Sequence, residues 1–132
     1  MQQSEEKGKT NNLIIRSLKS FRYAFDGVKT LWREEHNFRI HIFAAVLVLI
    51  LGFIFHISIL EWISIILASG FVIGAEILNT SIENLADFVS PEKHHEIKKI
   101  KDLAAAAVLI SAIVALIIGT LIFLPYILNT FF

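Results

Sequence analysis

The chain has 132 residues, 55% of them hydrophobic and 18% charged, with a mean hydropathy of +0.66. That is more apolar surface than a soluble domain of this size can bury, so the excess must face lipid. Twelve basic residues balance twelve acidic ones, which gives no support to nucleic-acid binding driven by bulk charge, and the lack of cysteine excludes disulfides, thiol nucleophiles and thiolate metal sites.

Residues 1–12 (MQQSEEKGKTNN) are polar and carry no apolar run, so they read as a flexible tail rather than a signal peptide. Residues 13–34 predict an amphipathic surface helix. Ile14, Leu18, Phe21, Phe25, Val28 and Trp32 recur at steps of four and three, while Arg16, Lys19, Arg22 and Lys29 lie off that stripe. Three apolar stretches follow, about 38–58, 62–86 and 101–126, each near the ~20 residues that cross ~30 Å of hydrocarbon at ~1.5 Å per residue. In the first, Arg39 and His41 are expected to snorkel to the headgroups and His56 to meet the far interface. Gly70 and Gly74 form a GxxxG step in the second, and Ala104 to Ala107 give the third a start of small residues, a pattern that suits close helix packing in a bundle or oligomer. The expected fold is an all-α integral membrane protein in which residues 13–132 form one domain.

Lys and Arg set the expected topology. Eight of the twelve precede or enter the first span, from Lys7 to Arg39, and four (Lys93, Lys98, Lys99, Lys101) lie between the second and third. The segment HISILEW and the tail after Pro125 carry none, so the positive-inside rule puts the N-terminus and the 2–3 loop in the cytoplasm and the C-terminus outside.

The run GAEILNTSIENLADF breaks the apolar pattern. Glu76, Asn79, Glu83 and Asp87 stand at i, i+3, i+7 and i+11, within about 80° of one helix face. An acidic residue at mid-helix in lipid costs on the order of 3 kcal/mol and marks function by default. Glu76 follows Trp62 by 14 residues, roughly 21 Å, which places it below the cytosolic headgroups rather than at the midplane. Glu35 ends the surface helix and Lys101-Asp102 opens the third span at the same border. The inventory suits phosphoryl transfer: Glu35 and Glu83 to hold Mg²⁺, Lys101 to neutralise phosphate, Glu76 to take a proton from a lipid hydroxyl. Taken singly, Glu35 is a solvated helix end and Lys101-Asp102 an interfacial charge pair. There is no G-x-x-x-x-G-K-[ST] loop and no G-x-G-x-x-G, and the adjacent His94 and His95 read as solvated loop residues.

Over about residues 13–125 the chain resembles the prokaryotic diacylglycerol kinases. The likeness rests on Arg16, Tyr23, Gly27, Trp32 and Glu35, then GAEILNTSIENLADF, then KDLAAAAVLI. The resemblance implies a homotrimer in the bacterial cell membrane, with active sites at subunit contacts near the cytosolic face and ATP and Mg²⁺ required. By the same resemblance Glu76 is the general base, Glu35 and Glu83 bind metal, and Asn79, Glu83, Lys101 and Asp102 meet ATP, with Arg16 and Tyr23 lining the nucleotide side. Ile40-His41 replaces the Gln-Glu pair of diacylglycerol-specific members, and EHNFRIH is similar to the Gram-positive undecaprenol kinase branch. Undecaprenol is therefore the first expected acceptor and diacylglycerol the second. A non-enzymatic accessory protein or pore is the alternative from another class. Against it, the polar stripe reaches only the inner part of the second span, and Leu103–Phe132 carries no charge.

Overall fold

The computed structural model describes residues 2–92 and 94–131, all of the ordered elements being helices. The side chains of 2–15, 17, 18 and 131, which include the stripe members Ile14 and Leu18, lie outside the described residues, as does Lys93. The chain divides into two units, 1–35 and 36–132.

The first unit is a single helix, α1 (Gln2–Glu34). It begins well before residue 13, because Gln, Glu and Lys of the polar segment are good helix formers that need no apolar face to continue the spiral. Phe21, Phe25 and Val28 of the expected apolar stripe are exposed, as are Lys19, Arg22 and Lys29 off that stripe.

The second unit holds α2 (His36–Phe55), α3 (Ile59–Val89) and α4 (His95–Phe131), each long and apolar enough to cross a membrane. Only three residues separate α2 from α3, fewer than the loop HISILEW suggests, and two caps explain the sharp reversal. At the end of α2 the His56 N–H bonds Phe53 O and the Ile57 N–H bonds Gly52 O, the crossed pair of a Schellman motif. His56 takes the left-handed conformation that glycine usually fills there, at φ 52°. At the start of α3, Ser58 and Glu61 form a reciprocal capping box: the Ser58 N–H donates to Glu61 Oε2 at 2.7 Å, and the Glu61 N–H to Ser58 Oγ at 3.4 Å. The Tyr126 hydroxyl adds a bond to the same Glu61 oxygen at 2.9 Å, tying the far end of α4 to this turn.

Around that turn sits the apolar core. Ile57, Ile65, Ile122 and Phe123 are buried, with Phe55, Trp62 and Tyr126 packed against them. Phe53 lies 4.7 Å from Trp62 and Phe55 6.2 Å from Phe123, centroid to centroid. The close helix approach is at Gly52, where an added Cβ would stand 2.8 Å from the Trp62 ring. Gly70 and Gly74, by contrast, face open space, so the GxxxG step does no packing among the described residues of the chain.

At the other end, Ser90 and Pro91 stop α3, Pro being unable to continue a helix, and α4 starts at His95. The tail expected after Pro125 instead continues α4 to Phe131, since a spanning helix tolerates proline when neighbouring groups satisfy the freed carbonyl. Hydroxyls within the spans are satisfied locally: Ser64, Ser81, Ser111 and Thr120 each donate to the carbonyl four residues earlier. Helix α3 packs chiefly on α4 and less on α2. Between the three lies an apolar groove of about 470 Å³, floored by small residues including Ala45, Ala68, Ala112, Ala115 and Gly119. The arrangement is a multi-pass membrane protein.

Candidate active site

The buried face of α3 changes character along its length. Ile65 and Val72 make it apolar near the α2 turn, whereas Glu76, Asn79 and Thr80 make it polar toward the α4 turn. Since α3 packs chiefly on α4, the Glu76 and Asn79 part of the stripe read from the sequence is turned into the protein rather than toward acyl chains, while Asp87 at its end is exposed. Glu76 is 2% exposed and Asn79 8%. A carboxyl in this position is tolerated because protein, not hydrocarbon, surrounds it.

The polar groups form a graded series. Asn79 Nδ2 donates to Glu83 Oε1 at 3.3 Å, one turn further on, and Glu83 is half-buried. Asn79 Oδ1 is buried and has no hydrogen-bond partner among the described residues. Leaving such an oxygen unpaired costs roughly 1–3 kcal/mol, which is the condition of a group held ready for something the chain does not itself supply. Beyond Glu83, the Lys101 ammonium of α4 reaches across to Asp87, 2.9 Å from Oδ1 and 3.0 Å from Oδ2. Asp102 faces another way and accepts from Lys98 of its own helix at 2.6 Å. Lys101 and Asp102 are thus not paired with each other: one bridges α3 and α4, and the other lies along α4.

Arg16 and Tyr23 are seven residues apart on α1, hence on one face, and both are exposed. Glu35 is the single non-helical residue between α1 and α2; it is half-buried, and its N–H caps α1 through Leu31 O at 2.9 Å. Of the expected residues, the second unit therefore brings together Glu76, Asn79 and Glu83 on α3 and sets Lys101 against the end of the same face.

Comparison with known proteins matches residues 22–123 to the prokaryotic diacylglycerol kinases. The chain belongs to the prokaryotic diacylglycerol kinase family. It is 44% identical over 114 residues to the undecaprenol kinase of Bacillus subtilis, spanning 86% of this chain and 93% of that one. Against a diacylglycerol kinase of Synechocystis it is 40% identical over 119 residues, 89% of this chain but 66% of that longer protein. Against the diacylglycerol kinase of Escherichia coli it is 31% identical over 104 residues, 79% and 85% of the two chains. A kinase of this family draws its phosphate from ATP and passes it to a lipid.

Among the described residues no three His, Cys, Asp or Glu side chains converge as a metal cage. Mg²⁺ is usually held by one or two carboxylates together with nucleotide phosphates and water, and Glu83, braced by Asn79 and half-open, suits such a donor. One buried member of the polar face, Thr80, stands outside the stripe read from the sequence. Thr80 is 4% exposed and stands four residues after Glu76, so the same helical arithmetic marks it. Asp87 belongs to the stripe by its spacing, and only the register of α4 on α3 reveals its partner.

Proposed function

We propose that the chain is an ATP- and Mg²⁺-dependent kinase that phosphorylates a membrane-embedded lipid alcohol, with undecaprenol the preferred acceptor and diacylglycerol the second. The reading has it work as a homotrimer in the bacterial cell membrane, N-terminus in the cytoplasm and C-terminus outside. The observation that carries it is the α3 face with Glu76 and Asn79 buried and Glu83 half-buried, its Asn79 amide oxygen unpartnered among the described residues, in a chain of this family. The greater likeness to the Bacillus undecaprenol kinase than to the two diacylglycerol kinases supports the order of acceptors.

In this mechanism the lipid hydroxyl comes up to Glu76 and hydrogen-bonds to its carboxylate. The proton passes to a Glu76 oxygen as the hydroxyl oxygen forms its bond to the γ-phosphorus of ATP and the bond from that phosphorus to the β–γ bridging oxygen breaks. ADP leaves with the bridging oxygen's electron pair, and the product is the lipid monophosphate. Glu35 and Glu83 would hold Mg²⁺, which supplies charge neutralisation on the β- and γ-phosphate oxygens when bound. Asn79, Glu83, Lys101 and Asp102 would contact the nucleotide, with Arg16 and Tyr23 lining the nucleotide side. The catalytic demand on the protein is mainly to align hydroxyl, base and phosphate, because the transferring phosphoryl is loosely bonded in the transition state.

The apolar chain of the acceptor lies in the groove among α2, α3 and α4. Val72 lines that groove and is one turn from Glu76 on the same face of α3, so a hydroxyl at the groove's polar end meets the base. The test is a paired assay of the purified protein in lipid with labelled ATP and Mg²⁺. Undecaprenol should be phosphorylated faster than diacylglycerol; faster transfer to diacylglycerol would reverse the order of acceptors, and transfer to neither would overturn the kinase reading.

A further inference from the structure

The ion pair between Asp87 and Lys101 is placed oddly for a stabilising contact. Asp87 is in the last turn of α3, where the free carbonyls already carry negative charge, and Lys101 is in the second turn of α4, near the N–H end of that helix. Asp87 sits at the pole that disfavours its charge, and Lys101 stands one turn inside the other pole, where the dipole adds nothing favourable. The pair is also open to solvent, at 33% exposure for the Lys101 side chain and 62% for Asp87, and an exposed ion pair adds too little to fold stability to account for that placement.

What the pair does accomplish is geometric. Asp87 lies four residues beyond Glu83 on the same face of α3, and Glu83 is itself braced by Asn79. Lysine has a flexible four-carbon stem and a compact charge that settles on whichever carboxylate is in reach. With both Asp87 oxygens in contact, the Lys101 ammonium is held on a carboxylate one turn beyond Glu83, whose Oε1 accepts from Asn79. We propose that Asp87 is a positioning residue of the nucleotide site: it parks Lys101 beside Glu83 without letting it close on that carboxylate, and yields it to a phosphate of ATP. The inference rests on the kinase reading above and adds to it the residue that sets Lys101. Because the pair is solvent-exposed, exchanging carboxylate for phosphate needs no burial or exposure of charge.

The full-length protein in lipid, with Asp87→Asn, Asp87→Glu, Lys101→Met and the Asp87→Asn/Lys101→Met pair, tests this. Mg·ATP binding is measured by calorimetric titration, and lipid phosphorylation and the unfolding midpoint are measured separately. Asp87→Asn should weaken Mg·ATP binding about tenfold and raise the Mg²⁺ concentration for half-maximal activity, with kcat at saturating nucleotide within about twofold of wild type. Asp87→Glu should restore most of the binding. On the Lys101→Met background, Asp87→Asn should change nothing further. Unchanged binding in Asp87→Asn, or the same weakening with and without Lys101, would overturn the proposal. If Asp87→Asn lowers the unfolding midpoint, the comparison of the double variant with Lys101→Met still decides. A wild type that binds Mg·ATP yet phosphorylates no lipid would overturn the kinase reading and leave Asp87 judged on the binding constants; a wild type that binds no nucleotide would overturn both.

Discussion

Asn79 concentrates the residue-scale physics of the site. Its amide nitrogen is spent on Glu83 while its oxygen is buried without a partner among the described residues, so the side chain stabilises a neighbour more than it stabilises the fold. A hydrogen bond to a charged group is worth roughly 1.5–3 kcal/mol, and Asn79→Ala should therefore shift the Mg²⁺ titration of activity upward by about tenfold or more. The unfolding midpoint should hardly fall, because the substitution also removes an unsatisfied buried oxygen. A Mg²⁺ requirement equal to wild type would separate Asn79 from metal binding. Much at this scale was legible in the sequence: Glu76, Asn79 and Glu83 fall on one face by helical arithmetic, and the structure buries the first two there. The partner of Lys101 was not. Adjacent residues 101 and 102 suggest a local pair, but consecutive side chains on a helix point about 100° apart, so each finds a different neighbour.

At the scale of elements, the α2–α3 turn governs how the hairpin closes. His56 holds a left-handed backbone that a β-carbon makes costly, by roughly 1–2 kcal/mol, offset in part by the contact of its Nδ1 with Ile54 O at 3.1 Å. His56→Gly should accordingly raise the unfolding free energy in detergent titration by about 0.5–1 kcal/mol. Gly52→Ala should lower it by about 1–3 kcal/mol, because the new methyl meets the rigid Trp62 ring. Opposite signs would remove the cap and the close approach from the account. The boundaries here illustrate what sequence patterning misses. Hydropathy located three spans, yet Ser58-Ile59-Leu60-Glu61 is a capping-box signature that shortens the loop to three residues, and its polar letters were read as loop. GxxxG marks Gly70 and Gly74, but which glycine meets a neighbour depends on helix rotation, and among the described residues that glycine is Gly52.

Across the whole molecule, most large apolar side chains of the second unit face outward, Phe53, Phe71, Leu116 and Leu121 among them, each at least 70% exposed. Such a surface is stable only against lipid or another copy of the chain. The groove among the three helices differs from that surface in being concave and lined by small residues, which suits a flexible hydrocarbon chain. Filling it with Ala115→Phe should raise the KM for undecaprenol several-fold while leaving the KM for ATP unchanged, since the groove ends a turn away from Glu76. Equal KM values for undecaprenol in variant and wild type would remove the acceptor chain from the groove. Composition alone shows that the protein belongs in a membrane, and its charge distribution suggests an orientation there. The groove needed three helices in register, which no single stretch of residues encodes.

Glu76 as the proton acceptor is the claim on which the rest depends. The most direct measurement compares Glu76→Gln with wild type in lipid, following phosphorylation of undecaprenol and Mg·ATP affinity side by side. The amide keeps the size and hydrogen-bonding of the side chain but cannot take the proton, so kcat should fall by about 10²–10⁴-fold with nucleotide affinity within about threefold of wild type. Full turnover by Glu76→Gln would contradict the account.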